Sequence, residues 1–540
     1  MHARRHCCET LVIGAGLAGI ATALELLDRG ASVLLLDAAP REQLGGQAND
    51  AFGGMLLCDT PEQRRNGVRD SPQLMFDDWL RAACFASEDQ WGRRWAQAYA
   101  EHNRADIYDW LRRHGIGFFS AVQWVERGNH GDGNSLPRYH VAWGCGLGIV
   151  QALAKRLLNH PRQAQLQLLF EHRVLGLEQR NGAVVGCHGR SADGAFEVQA
   201  EHVVLCSGGI NGDLHKVRQH WDPLYGPCPE NLLNGTDPRA DGALHRQVQS
   251  VGGQVVRLGQ MWNYAAGIAH PQPQYPQHGL SLIPPRSALW LEASGRRAGP
   301  APMVSGFDTH DLCKRMGHLP GQYAWQLLNW RIAIKEMAIS GAAYNPLFRD
   351  RKLLRLLWQT LTGNRQLVRW MIDQCPDVLA AKDLPSLAAQ MSGLAGDGRL
   401  NPSLLAEAVQ QYDAQVRRGP ALHNDEQLWR IQQLRQWRSD RLRTCRFQAI
   451  LEAKAGPLLA IRTRLISRKS MGGMLTDLHS RVLDAQGQPV AGLYAAGEAA
   501  GFGGGGSSGI RSLEGTFLSN CIFNGRRAAW AISGNAPKPV

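Results

Sequence analysis

The order of apolar and polar positions is most regular over residues 11–37, LVIGAGLAGIATALELLDRGASVLLLD. Residues 11–13 are a short apolar run, the pattern of a buried strand. Leu17, Ile20, Ala21, Leu24 and Leu27 then recur at helical spacing, and Gly30 stands where a helix C-cap belongs. Residues 32–36 are a second apolar run, closed by Asp37. The pattern predicts strand, helix, strand.

Residues 71–114 read as helical and rich in Trp and Arg, with Trp79, Trp95, Tyr99 and Trp110 as packing positions. Two β-rich runs flank Asn181-Gly182, a strong hairpin signal. Residues 201–209, EHVVLCSGG, predict a buried strand ending in small residues, and 240–253 a helix. Beyond about residue 258 the texture changes. Residues 268–285 carry five prolines and predict an irregular connection. Trp325, Leu328, Ile332 and Ile339 share one helical face, and 350–373 continue in helical style. Asn401-Pro402 predicts a capped helix start, with Leu405, Val409, Tyr412 and Val416 as its apolar stripe and Gly419-Pro420 as its stop. A buried run returns at 490–501, VAGLYAAGEAAG. Residues 1–258 and 455–540 are therefore expected to form one discontinuous α/β nucleotide domain. Residues 259–454 are expected to be a mostly helical α+β cap inserted into it.

The glycines between the first strand and helix carry chemistry. Gly14, Gly16 and Gly19 stand in G-x-G-x-x-G spacing. Gly14 permits a tight turn, Gly16 lets backbone approach a pyrophosphate, and Gly19 lets helix and strand pack closely. The helix N-terminus adds free N–H groups and the positive end of a dipole. Ala15 and Ala18 belong to the same turn. Asp37, 18 residues after Gly19, is placed to accept from a ribose hydroxyl, which suits FAD or NAD rather than NADP. Gly45, Gly46 and Gln47 follow as a further cofactor-contact loop, and Ser207 and Gly208 allow another close approach.

Composition narrows the class. The chain of 540 residues is 44% hydrophobic and 20% charged, as expected of a globular protein. It holds no apolar stretch long enough to span a bilayer. Arg4-Arg5 precedes a run that is itself the first strand, so the N-terminus reads as mature and the location as cytoplasmic. The net charge of +12 comes from scattered residues without a Lys/Arg block, and an anionic cofactor, an anionic substrate or a passing contact with an acidic membrane surface explains it as well as nucleic acid does. Twelve dispersed cysteines lack haem or ferredoxin spacing and read as reduced thiols, with no metal site. Any further electron carrier is a separate molecule.

Two loops are candidates for substrate contact. Residues 128–148, GNHGDGNSLPRYHVAWGCGLG, present Tyr139 and His140. Residues 503–509 are glycine-rich and lead to Arg511, whose guanidinium suits a carbonyl or a carboxylate. Arg511 pairing with Glu514 on the first turn of the last helix is the alternative. Tyr264 and Tyr323 compete with Tyr139 as proton donor or acceptor. Gly144-Cys145-Gly146-Leu147-Gly148 lacks the context of a second nicotinamide site.

Together GAGLAG, Asp37, GGQ, CSGG, KSMGGMLTD, GLYAAGEAAG and EGTFLSNCIFNGRRAA resemble one superfamily, that of soluble fumarate reductases and 3-ketosteroid Δ1-dehydrogenases. GNSLPRYHVAWG and GFGGGGSSGIRSLEGTF resemble in particular the bacterial FAD-binding dehydrogenases allied to the ketosteroid enzymes. The resemblance implies a Rossmann-like, glutathione-reductase-type FAD domain with an inserted cap. It implies noncovalent FAD, since no His stands in the loop after Asp37. Gly14, Gly16, Gly19 and Asp37 would hold the adenosine half, and Val174 would touch adenine. Ser207 and Gly208 would line the pyrophosphate. Gly497-Glu498 would accept from a hydroxyl, and the final helix, near Ser512 and Leu513, would face the flavin.

The chain departs from both branches. It reads Arg468-Lys469-Ser470 where the fumarate reductases carry a His before their T-M-G-G. Their dicarboxylate-binding Arg falls on Ser512, and the ketosteroid enzymes' Tyr and Gly fall on Ile510 and Glu514. The reaction implied is hydride exchange between FAD and a C–C or C=C bond next to a carbonyl or carboxylate, with an external electron acceptor or donor. Ketosteroid-like motifs favour dehydrogenation. Fumarate-like reduction and a flavin electron-transfer protein without its own substrate remain the alternatives.

Overall fold

A computed structural model describes residues 3–534. The outermost residues of the expected nucleotide domain, 1–2 and 535–540, lie outside the described residues. Strand β1 (Arg4–Ile13), helix α1 (Leu17–Asp28) and strand β2 (Val33–Leu36) follow the apolar pattern. β1 and β2 pair in parallel from Thr10↔Val33 to Ile13↔Leu36. Both are buried where they pair, because one strand per apolar run is covered on both faces.

This unit sits inside the first sheet. Strand Gly194–Leu205 pairs parallel to β1, and Pro489–Ala495 pairs parallel to Gly194–Leu205. Leu166–Leu169 extends the other side, beyond β2. The hairpin Arg173–Arg180 and Ala183–Ser191 turns at Asn181 and Gly182, both at positive φ as its dipeptide demands. The final helix, Thr516–Ile532, lies on α1, and a Cβ on Gly525 would come 2.6 Å from the Ala18 carbonyl oxygen. Thr22 Oγ1 donates across this contact to the Gly525 carbonyl at 3.1 Å.

A second sheet centres on Leu458–Ser470, which pairs with Met261–Ala269, Tyr323–Asn329, Val378–Ala381 and Leu233–Asn234. Two expectations change here. Leu458–Ser470 was assigned by position to the nucleotide domain, but its partners put it at the centre of the other sheet. Trp325 and Leu328 lie in a strand, with Ile332 in the following helix Trp330–Glu336 and Ile339 in the strand Ala338–Ile339. The physical reason is burial: all seven residues of Tyr323–Asn329 are covered, and a strand buried on both faces has no period-2 signature. Residues 259–454 thus contribute strands, as well as helices, to this second sheet, which also draws on Leu233–Asn234 and Leu458–Ser470. Among those helices, Pro402–Arg418 is capped as expected: Asn401 Oδ1 accepts from the Ser403 N–H at 2.9 Å.

Candidate active site

A cleft is lined by residues of both sheets and of the loops after β1 and β2. Its lining runs from the glycine turns after β1 and β2 to Tyr139, Tyr264 and Lys469.

One end is built from backbone. Gly14 has φ +106°, and a Cβ there would lie 2.3 Å from the Cys206 carbonyl oxygen. Gly16 is different: its Cβ would meet nothing within 4 Å, although the residue lines the cleft. That open space faces the N-terminus of α1, which no side chain caps. A phosphate group fits such a cradle, by unpaired N–H groups and dipole alike. Gly45 and Gly46, at positive φ, close the cradle, and Gly45 N–H donates to the Ala15 carbonyl at 2.8 Å. Gln47, Ala18, Ser207 and Gly208 also line the cleft. Asp37 Oδ2 accepts from Ala15 N–H at 2.5 Å and Oδ1 from Ala39 N–H at 2.7 Å. It therefore fixes the turn while facing the cleft beside His172 and Val174.

Some expected contacts are packing positions instead. Gly19 does not line the cleft, and a Cβ there would lie 2.0 Å from the Gly14 carbonyl oxygen. Gly497 is likewise against Ala18, at 2.9 Å for the same substitution. Leu513 is buried behind the wall, which its neighbours Glu514 and Gly515 form. Ala15 contributes its N–H to Asp37 and does not line the space. The final helix begins at Thr516, after Gly515, rather than near Ser512. Glu498 does line the cleft, and its Oε1 accepts from Ser470 N–H at 2.9 Å. Burial pushes the Glu498 carboxyl up to about 7 against the pull of that N–H and of Lys469.

The other end is built from side chains. Tyr139 opens the strand Tyr139–Val141, paired with Gly54–Leu56, and lines the cleft. A Cβ on Gly54 would lie 1.9 Å from the Tyr139 hydroxyl oxygen, so only glycine leaves the ring its place. Arg138 anchors the strand: fully buried, it pairs with Asp70 at 2.8 Å and with Asp78. His140 points away, its ring nitrogens bonded to Thr60 Oγ1 and the Arg138 carbonyl, each at 2.7 Å. Burial pushes its pKa down to about 4, the state of a structural neutral imidazole.

Tyr264 and Lys469 come from neighbouring strands of the second sheet, and Glu514 from the turn before the final helix. Tyr264 Oη donates to Glu514 Oε2 at 2.9 Å, and Trp262 Nε1 donates to the same oxygen at 2.7 Å. Lys469 Nζ lies 4.2 Å from the Phe517 ring centroid and 5.5 Å from that of Tyr264. Burial pushes the Lys469 ammonium down to about 8, with Glu514 opposing. Burial, and then the Glu514 charge, hold the phenols of Tyr139 and Tyr264 well above the ordinary range.

Arg511 is not part of this wall. Its guanidinium pairs with Asp132 and, at 3.3 Å, with Asp308, and it is absent from the cleft lining. The expected partner Glu514 is occupied by Trp262 and Tyr264. Tyr323 is also elsewhere, its hydroxyl bonded to Asp397 at 2.9 Å. The 144–148 glycines open the helix Cys145–Leu158, where a Cβ on Gly146 would lie 2.0 Å from the Ala48 carbonyl oxygen, a packing role. Lys469 and Glu514 entered the sequence reading only as departures from the family motifs and, for Glu514, as a partner of Arg511, not as site residues. No local pattern marks either as lining a cleft. Among the described residues no cluster of His, Cys, Asp and Glu is placed to hold a metal ion, and no helix is long and apolar enough to cross a membrane.

Comparison with known proteins gives a consistent family. A family described as FAD binding domain matches residues 9–518. A KsdD-like steroid dehydrogenase from Mycobacterium tuberculosis is 40% identical over 96% of this chain and 94% of its own length. Among solved structures, 3-ketosteroid Δ1-dehydrogenase from Sterolibacterium denitrificans superposes with TM-score 0.68 at 15% identity, covering 98% of this chain and 100% of that one. A flavocytochrome c3 fumarate reductase gives 0.66 at 20% identity, covering 98% and 78%. The two structures share the fold with this chain.

Proposed function

This chain belongs to the FAD-binding-domain family and is an FAD-dependent oxidoreductase of the CH–CH class, and we propose that it dehydrogenates a 3-ketosteroid-like ring ketone. The observation that carries the reading is the Tyr264–Glu514 hydrogen bond beside Lys469 and Tyr139, at the end of the cleft away from the phosphate cradle. The whole-length likeness to a steroid dehydrogenase supports the substrate class.

FAD, bound noncovalently, supplies hydride acceptance. The chain's residues do the rest. Gly16, Gly46 and the N-terminus of α1 take the pyrophosphate by backbone N–H groups, while Gly14 and Gly45 give the turns that shape the cradle, in a unit we read as Rossmann-like. Asp37 and Glu498 offer acceptors to sugar and chain hydroxyls. Tyr264, with Glu514 as its acceptor, takes the proton from the carbon next to the one that gives up hydride. Lys469, as ammonium, and Tyr139, as phenol, donate to the ketone oxygen and stabilise the charge that grows there. The apolar walls, Phe52 and Phe517, exclude water from the polycyclic body.

We divide the chain into a nucleotide unit and an inserted sheet unit spanning about 261–470, which closes the substrate end. The twelve unpaired cysteines support a reducing, cytoplasmic location. A separate acceptor reoxidises the enzyme.

The test is anaerobic mixing of the yellow holoprotein with 4-androstene-3,17-dione and with succinate. Bleaching by the ketosteroid, and its loss in Tyr264→Phe that still holds FAD, is the expected outcome. A second reading, carboxylate chemistry, rests on Arg468 and Lys469, both of which line the cleft. Reoxidation of the dithionite-reduced protein by fumarate, with no ketosteroid response, would select it.

A further inference from the structure

The surface carries one feature that the cleft chemistry does not use. Helix Leu353–Thr362, LLRLLWQTLT, buries only Leu356. Its other apolar residues face outward: Leu354 is 82% exposed, Leu361 74%, Trp358 69%, Leu357 49% and Leu353 43%. They recur at i, i+1, i+4, i+5 and i+8, which is one continuous stripe of the helix. The neighbouring helix Arg438–Arg443 packs beside it and adds Leu442, 48% exposed. Lone exposed leucines are ordinary, but a contiguous apolar stripe of this kind marks an interaction surface.

Charge decides the kind of partner. Between residues 349 and 369 stand six Arg or Lys and a single acid, Asp350, which is taken by Arg349. Arg351, Lys352, Arg355, Arg365 and Arg369 are exposed and have no ion-pair partner among the described residues. A second copy of the chain docking by the same stripe would bring these like charges together across a twofold axis. An anionic bilayer does the opposite. Its headgroups neutralise the cations while Trp and Leu enter the acyl boundary, and a helix of ten residues lies flat over about 15 Å.

Position gives the surface a use. The short helix Pro346–Arg349 just before it places Phe348 against Phe52, ring centroids 5.4 Å apart, and Phe52 lines the cleft. Ala342 N–H donates to the Asp50 carbonyl at 3.0 Å, and the nearby Ser340 lines the cleft too. The apolar helix is therefore tied to the cleft wall.

We propose that Leu353–Thr362 is a membrane-surface anchor: it seats the protein on an anionic lipid bilayer by its Leu/Trp stripe and its unpaired cations, next to the cleft wall. The proposal stands whatever the substrate proves to be.

The experiment is co-sedimentation of the full-length holoprotein with vesicles of phosphatidylcholine alone, or with about one third phosphatidylglycerol. The expected result is at least about tenfold stronger partitioning onto the anionic vesicles, reduced in high salt. The variant Leu354→Glu/Trp358→Glu/Leu361→Glu should lose it while keeping FAD absorbance and its far-UV spectrum. Arg351→Gln/Lys352→Gln/Arg355→Gln, with the stripe intact, should weaken binding and flatten the salt dependence. Wild-type protein that stays in the supernatant with both vesicles overturns the proposal. So does pelleting that the triple glutamate variant retains. A vesicle-indifferent dimer, reduced to monomer by that variant in light scattering, assigns the stripe to a second copy and also overturns it.

Discussion

The two ends of the cleft are made by different means. At the cradle end the working groups are backbone N–H groups, positioned by Gly14, Gly16, Gly45 and Gly46 over a stretch of little more than thirty residues. At the far end the proposed ones are the side chains of Tyr139, Tyr264, Lys469 and Glu514, brought from strands and turns spread between positions 139 and 514. The first end depends on what glycine leaves out. The second depends on hydrogen bonds between side chains that no local rule pairs. Substitutions should therefore fail differently at the two ends: loss of cofactor at the first, loss of turnover with cofactor retained at the second.

The largest effect is expected from Gly16→Val. The space beyond Gly16 is free of protein atoms, so the fold tolerates the side chain, but on the proposed reading it would occupy the place of the pyrophosphate. The variant should purify colourless, with a melting temperature close to that of wild-type apoprotein. Gly14→Val is the contrast, since its Cβ strikes the Cys206 carbonyl and φ is positive, and it should lower the yield of folded protein. A yellow Gly16→Val protein would remove the distinction between the ends.

Next comes Tyr264→Phe. It should keep the flavin spectrum and lower kcat by about 10²–10⁴, the range for loss of a positioned proton-transfer group. Stopped-flow flavin reduction measures it. Glu514→Gln should follow the same direction, because it removes the charge that Tyr264 and Trp262 donate to. Unchanged reduction rates in both would move the proton to another group.

A smaller, pH-dependent effect is expected at Lys469. Burial lowers its pKa from 10.5 to about 8, so the ammonium proposed to polarise the ketone is present below that pH and is lost above it. The rate of flavin reduction should fall as pH rises through about 8. Lys469→Met should be slower, by about tenfold, and should lack that limb. A limb that persists in the variant assigns it elsewhere.

How far each end could be read beforehand follows the same division. The cradle was legible because its residues are adjacent: an apolar run, three glycines, a helical stripe and Asp37 all stand between positions 11 and 37. The structure bears out the packing role read for Gly19 and adds that Gly497 packs against Ala18 and that Ala15 and Leu513 do not line the cleft. The far end was half legible. Tyr139 was placed by its loop, but Glu514 acquires its meaning from Trp262 and Tyr264, some 250 residues upstream. The fold shows the same limit. Leu458–Ser470 joins strands as far back as Leu233–Asn234, and local pattern carries no information on such partners. Tyr323–Asn329 was misread as helix because burial on both faces erased its alternation.

The smallest functional effect is expected at Arg511, which belongs to neither end. Its guanidinium is shared by Asp132 and Asp308, and it does not line the cleft. Arg511→Ala should leave FAD retention intact and change kcat and KM by less than about threefold, since it removes no group that touches the ligand. Its cost is to stability. Asp308 is nearly fully buried, and burial raises its pKa against the pull of Arg511, so the variant strands a carboxylate there. About 1–3 kcal/mol is the expected loss at pH 7. For Asp132 burial is the largest single influence and acts to raise the pKa, but the hydrogen bond and charge of Arg511 together with backbone N–H groups outweigh it, and the carboxyl ends below its usual value. A carboxyl with a depressed folded pKa contributes stability above its unfolded value near 3.8, and that contribution fades as pH falls through the folded value. The gap between wild type and variant in denaturant midpoint should therefore be widest at neutral pH and narrow as pH falls, the Asp308 share first, because its carboxyl is held above the usual range, and the Asp132 share below about pH 4. A variant that is stable but loses turnover would return Arg511 to the substrate end and erase the boundary drawn between the two.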